Sequence, residues 1–198
     1  MRHALIERAA ELLARREPVT LRSLVAGTGA STMAVYTHFG GMPGLWRAVR
    51  QEGFTRLTAR LQATGLTRDP VRDLAALGAA YAANALANPD LYRAMFDARV
   101  DLEDAEAAAA SFDVLVVCVE RAQEQGRFAA DVHPEATATR YWATGHGLTS
   151  LAVSGVLPSA ALAEHAPAVA VALFVAAGDD PARASRSVHA GWRGVELP

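Results

Sequence analysis

The stretch Thr20–Phe39, TLRSLVAGTGASTMAVYTHF, limits what this chain can fold into more than any other. After Thr20, a side chain suited to capping a helix start, Leu21, Leu24 and Val25 repeat at helical spacing. Gly27-Thr28-Gly29 breaks that helix, and Gly29 can take the positive φ that a sharp turn requires. Ser31 is placed to cap a further helix that ends near His38. Two short helices joined by a tight glycine turn outline a helix-turn-helix, whose second helix lies in the major groove of DNA.

The flanking sequence predicts more helix on both sides. Leu5, Ala9, Leu12 and Leu13 form one face of a first helix from about Arg2 to Arg16, which Glu17-Pro18 stops. A fourth helix starts near Pro43 and presents Leu45, Val49, Leu57 and Leu61. Gly65 and Asp69-Pro70 close it. Beyond them, breaks at Asn88-Pro89, Gly126, Asp131–Pro134, Gly155–Pro158 and Gly178–Pro181 separate further helical segments. Alanine is abundant, and β-branched residues never run in long alternating stretches. The expected fold is therefore all-α. A three-helix head over residues 1–50 would bind DNA, and a larger helical bundle over 51–198 would bind ligand and dimerise.

Charge follows that division. Residues 1–60 hold nine Arg against four Glu, a net of +5, and the rest of the chain nets −7. A basic head suits phosphate neutralisation, and an acidic body would be repelled by DNA. All 19 basic residues are arginine; a GC-rich coding sequence is the simplest reason. One cysteine, Cys118, excludes an intrachain disulfide and a cysteine-based metal site. The six histidines are scattered without metal-ligand pairing, so neither a metal nor another cofactor is expected. The N-terminus reads as a charged amphipathic helix rather than a signal peptide. Ala166–Gly178 is the most apolar run and reads as too short to span a membrane, which points to a cytoplasmic protein.

The first 50 residues resemble the TetR family of bacterial transcriptional regulators. The resemblance rests on LIERAAELLA followed by Thr20, Leu24, Gly29, Ser31, Tyr36, His38, Phe39 and Leu45. The body is similar to the subgroup whose C-terminal domain is called WHG, through Asn88–Phe96 and through Trp142 with Gly145-His146-Gly147-Leu148. This resemblance implies an Ω-shaped homodimer, with its heads on a double-stranded DNA operator and a ligand cavity in each body. Met42 stands where the family usually has a lysine near a phosphate. Ala30 replaces the commoner valine, and no basic arm precedes the first helix.

Candidate DNA contacts are Thr20, Arg22, Ser31, Thr32, Met33, Tyr36, Thr37 and His38. Thr32, Met33 and Thr37 are read as exposed toward base edges. By family position, Tyr36 and His38 would meet phosphates, with Thr20 and Arg22 at the mouth of the second helix. Arg47 and Arg50 could add charge or form an ordinary solvated face. Tyr36 could equally pack its ring in the core with its hydroxyl outward. The third helix carries no Arg, Asn or Gln, so shape and backbone contacts should weigh more than base readout.

Candidate effector residues are Tyr81, Tyr92, Met95, Phe96, Phe112, Tyr141, Trp142 and His146, with Cys118, Asn84 and Arg121 behind them. Aromatic residues at helical spacing are usually core, and about one in three of these is expected to line a cavity. His146, one turn after Trp142, is the polar anchor; a buried histidine bonded to a carbonyl is the plain alternative. Gly145 and Gly147 suggest close helix packing. The helices around 135–153 and 160–177 should form the homodimer, since APAVAVALFVAA has almost no polar face. Asp179-Asp180 is explained by helix capping, and no nucleophile motif or phosphate loop points to an enzyme. The chain reads as a ligand-responsive regulator, with a regulator-like binding module that has lost DNA binding as the alternative.

Overall fold

The computed structural model describes residues 1–97, 99–195 and 197, with the side chains of 107 and 108 left aside. Among them the chain is helical without strands. In order, the helices are α1 (Arg2–Ala14), α2 (Leu21–Val25), α3 (Thr32–Phe39), α4 (Met42–Ala63), α5 (Pro70–Ala87), α6 (Pro89–Met95), α7 (Ala105–Glu124), α8 (Pro134–Val153), α9 (Ser159–Ala176) and α10 (Pro181–Trp192).

Two compact units result. The first is Met1–Arg56 together with Asn88–Ala108; the second is Leu57–Ala87 together with the chain from Ala109 onward. This division departs from the expected break at 50/51. Residues 88–108, read from the sequence as body, pack with the head. Leu91 of α6 joins the head core of Leu5, Ile6, Leu12, Leu24, Val35, Phe39, Leu45 and Val49. Apolar periodicity showed that α6 buries a face but not which core receives it.

Within the first unit, local sequence sets the turns. Thr20 and Ser23 form a reciprocal capping box: Ser23 N–H donates to Thr20 Oγ1 at 3.1 Å, and Thr20 N–H to Ser23 Oγ at 2.9 Å. Gly29 has φ 71°, as the turn requires, and Gly40 closes α3 at φ 70°. Gly44 admits no side chain: a Cβ there would fall 1.7 Å from the Phe39 carbonyl oxygen.

In the second unit, α10 and α8 both pack on α5, and α9 packs on α8 and α10. Small residues permit this. A Cβ at Gly191 would lie 2.6 Å from the Arg72 carbonyl oxygen on α5, and one at Gly78 would lie 2.2 Å from the Tyr141 hydroxyl. Gly145 and Gly147 do no such work, contrary to expectation, because a Cβ at either meets nothing within 4 Å. The uncharged run from Ala166 is part of α9, the one described helix that passes the length and composition of a membrane span when Glu164 and His165 are counted in. The 18 residues of α9, with mean hydropathy 1.6, are long and apolar enough by length and composition alone. In the single chain only 22% of that helix is buried.

Candidate nucleic-acid interface and candidate effector site

Helix α3 buries Val35 and Phe39 and leaves Thr32, Met33, Tyr36, Thr37 and His38 exposed. Met33 is 65% exposed and Tyr36 51%. The Tyr36 ring therefore does not pack in the core; it lies beside Gly41, just before α4. Thr37 Oγ1 donates to the Met33 carbonyl at 3.0 Å, which occupies its proton and leaves its methyl and lone pairs. Ser31 sits at the N-cap, but its side chain makes no capping bond, a departure from the sequence expectation. Thr20 and Arg22 are exposed at the start of α2.

The basic head is a different object once folded. Arg50 is no free surface charge: its Nε donates to the Met95 carbonyl at 2.7 Å, and its Nη1 donates to the Val100 carbonyl. Arg2 meets Glu103 at 2.6 Å and lies 5.3 Å from the Phe39 ring centroid. Gln51 Oε1 accepts the Asp104 N–H at 3.0 Å. With residues 88–108 included, the first unit holds ten arginines and ten carboxylates. The net of +5 read from residues 1–60 is thus cancelled within the unit that holds α3.

In the second unit, four sequence candidates meet on α5, α7 and α8. The Tyr81 hydroxyl and His146 Nδ1 are 2.7 Å apart, and Ser150 Oγ is 3.4 Å from His146 Nε2. Trp142 stacks obliquely near His146, with centroids 5.6 Å apart, and meets the Phe112 ring edge-on at 6.2 Å. Burial lowers the pKa of His146, favouring a neutral ring. In the tautomer with its proton on Nε2, the neutral imidazole accepts a hydrogen bond from the Tyr81 hydroxyl at Nδ1 and turns its N–H toward Ser150. Tyr81, Phe112 and His146 are half-buried, and Trp142 is 37% exposed.

The other four candidates lie elsewhere. Tyr141 turns into the bundle core: its hydroxyl donates to the Leu74 carbonyl at 3.0 Å, and its ring lies 5.0 Å from Phe174. Burial raises its pKa. Tyr92, Met95 and Phe96 belong to the first unit. Phe96 meets Tyr92 at 5.0 Å and Phe54 at 5.6 Å, while Met95 fills the space that Gly53 leaves on α4. Cys118 is buried, and Arg121 is held by Asp73 at 2.9 Å.

The polar hub of the second unit went unnoticed in the sequence. Arg127 is fully buried, and its Nε and Nη2 donate to the two carboxylate oxygens of Asp179 at 2.7 and 2.6 Å. Its Nη1 donates to Asp69 at 2.8 Å, and Ser187 Oγ donates to the same carboxylate at 2.6 Å. Burial opposes the charge on Asp69. Hydrogen bonds from Ser187 and the Arg72 N–H, with the Arg127 charge, outweigh it and hold the carboxyl below its ordinary value. Of the acidic pair at 179–180, only Asp180 caps a helix, accepting the Arg183 N–H at 2.8 Å. The signal was faint: one arginine in Gly126-Arg127-Phe128 and one aspartate after Gly178. Among the described residues, no three His, Cys, Asp or Glu side chains gather as a metal site would require.

Residues 74–174 match the family described as tetracyclin repressor-like, C-terminal domain. That span contains both stretches, 88–96 and 142–148, that carried the body's resemblance. A protein of unknown function from Rhodococcus sp. RHA1 is similar in structure, with TM-score 0.76 and 30% identity over 90% of this chain and 95% of that one. RolR, in complex with resorcinol, superposes with TM-score 0.67 at 19% identity, covering 100% and 96% of the two chains. The TetR-family protein CprB from S. coelicolor A3(2) gives TM-score 0.67 at 22% identity, covering 97% and 96%. No curated protein matches in sequence.

Proposed function

Because this chain belongs to the tetracyclin repressor-like (TetR) family of ligand-responsive transcriptional regulators, we propose that it is a cytoplasmic repressor that binds a two-fold operator as a homodimer and is released by a small effector. Members of this family are non-enzymatic regulators, and this chain is one of them. The observation that carries the reading is the exposed face of α3, with Thr20 and Arg22 exposed at the start of α2. Those groups would reach base edges and phosphates in one groove.

The effector would bind where Tyr81, Phe112, Trp142 and His146 meet. Three aromatic rings and a neutral imidazole–phenol pair suit a small, largely apolar molecule with one hydrogen-bonding group. RolR, whose crystal structure holds resorcinol, takes a small aromatic molecule, though one with two hydroxyls. Homodimerisation would use α8 and α9, because α9 exposes Ala163, Ala168, Ala172 and Ala176 and only partly covers Val169, Val171, Leu173 and Val175 in the single chain. The effector would act through unequal affinity for two spacings of the heads.

One observation favours the second reading, a binding module that has lost its DNA partner: the neutral first unit, with Met42 in place of a phosphate-seeking lysine. A gel shift with DNA upstream of the protein's own gene, at low and moderate salt, separates the two. Retardation at low salt that weakens with salt supports the repressor. Free migration at both salts supports the module.

A further inference from the structure

Three features of α3 concern which bases it can read. Met33 is 65% exposed, an unusual position for an apolar side chain. Thr37, four residues on and therefore on the same stripe, spends its hydroxyl proton on the Met33 carbonyl at 3.0 Å. The exposed positions of the helix hold no amide or guanidinium, the groups that pair bidentately with adenine or guanine. What the middle of this face offers outward is a thioether chain and a threonine methyl.

The one base feature in the major groove that matches such a surface is the thymine 5-methyl. We propose that Met33 and Thr37 are specificity-determining residues that read thymine methyl groups by apolar contact, with Tyr36 and Arg22 fixing the helix on the backbone. This preference rests on the DNA-binding reading above and adds the base chemistry that α3 selects. Removing one thymine methyl from beneath these side chains should weaken binding about fourfold, and two half-sites compound the effect.

The test uses the full-length chain and a random duplex library. Selection should enrich a two-fold symmetric site with thymine at fixed positions in each half. Replacing those thymines by uracil, which removes only the methyl, should weaken binding by about fourfold per methyl. Met33→Ala and Thr37→Ser should bind the thymine site more weakly and be less sensitive to uracil. Thr37→Val keeps the methyl and should retain affinity. Both positions are exposed, so the variants should fold, and an unchanged thermal midpoint checks this. An enriched site indifferent to uracil, or one with guanine at the contacted positions, overturns this proposal and leaves DNA binding standing. A library with no enriched sequence overturns the DNA-binding reading itself, and this proposal with it.

Discussion

The two compact units handle charge in opposite ways. In the first, every ion pair among the described residues has a partner more than a third exposed, as with Arg2–Glu103 at 45% and 36%. Its core is apolar, from Leu5 to Leu91. In the second, Arg127 and Asp179 are each 1% exposed, and Asp73 and Asp69 extend the network to α5. A unit that keeps its charges hydrated can lend them to a polyanion at small cost. A unit that buries them ties one helix arrangement to one set of partners, since a displaced member leaves its charge unpaired in low dielectric.

The largest effect should come from breaking the buried pair. Asp179→Asn removes the charge opposite Arg127 and should cost about 3–5 kcal/mol, read as a lower urea midpoint. Arg127→Met combined with Asp179→Leu should recover part of that loss, because the two most buried charges leave together, while Asp69, a third exposed, keeps its bonds from Ser187 and the Arg72 N–H. A small loss in the single variant would erase the contrast between the units.

Acid should next distinguish them. His146 in the folded body resists protonation below its ordinary value of 6.5, because burial disfavours the charged ring. The unfolded chain takes the proton first. The stability tied to His146 is therefore complete above pH 6.5 and falls as pH drops toward the depressed folded value. The thermal midpoint should decline as pH falls below 6.5, and His146→Gln should flatten that slope. Trp46 reports on the head and Trp192 on the body in single-tryptophan variants, and the decline should show in the Trp192 signal.

The smallest effect should follow Arg2→Gln. Its bond to Glu103 is exposed at both ends and should contribute no more than about 1 kcal/mol, diminished further by salt. A larger loss would mean that the acidic segment is part of what holds the head together.

What could be read in advance was local. The Thr20 cap and the Gly29 turn depend on neighbours three residues away or fewer, so spacing alone revealed them, though not the reciprocal bond from Ser23. The Tyr81–His146 pair joins residues 65 apart, and the Arg127–Asp179 pair residues 52 apart. No periodicity encodes such partnerships; they follow from how α5, α7, α8 and α10 pack. The same limit explains the placement of α6. Leu91, Tyr92 and Met95 announce a buried face, but Gly53, which receives Met95, lies 42 positions earlier on α4. Tyr141 and Trp142 are adjacent in sequence and face opposite surroundings, a division that composition could not draw.

The seclusion of Cys118 has an experimental use. It is the chain's one cysteine, and burial, aided by the Asp73 charge, pushes its thiol up to about 11. At neutral pH it stays protonated and out of reach of alkylating reagents. A spin label attached through Ala26→Cys, an exposed position after α2, would then stand without background. Dipolar spectroscopy on that variant would measure how far apart two such markers sit, with and without an added aromatic compound.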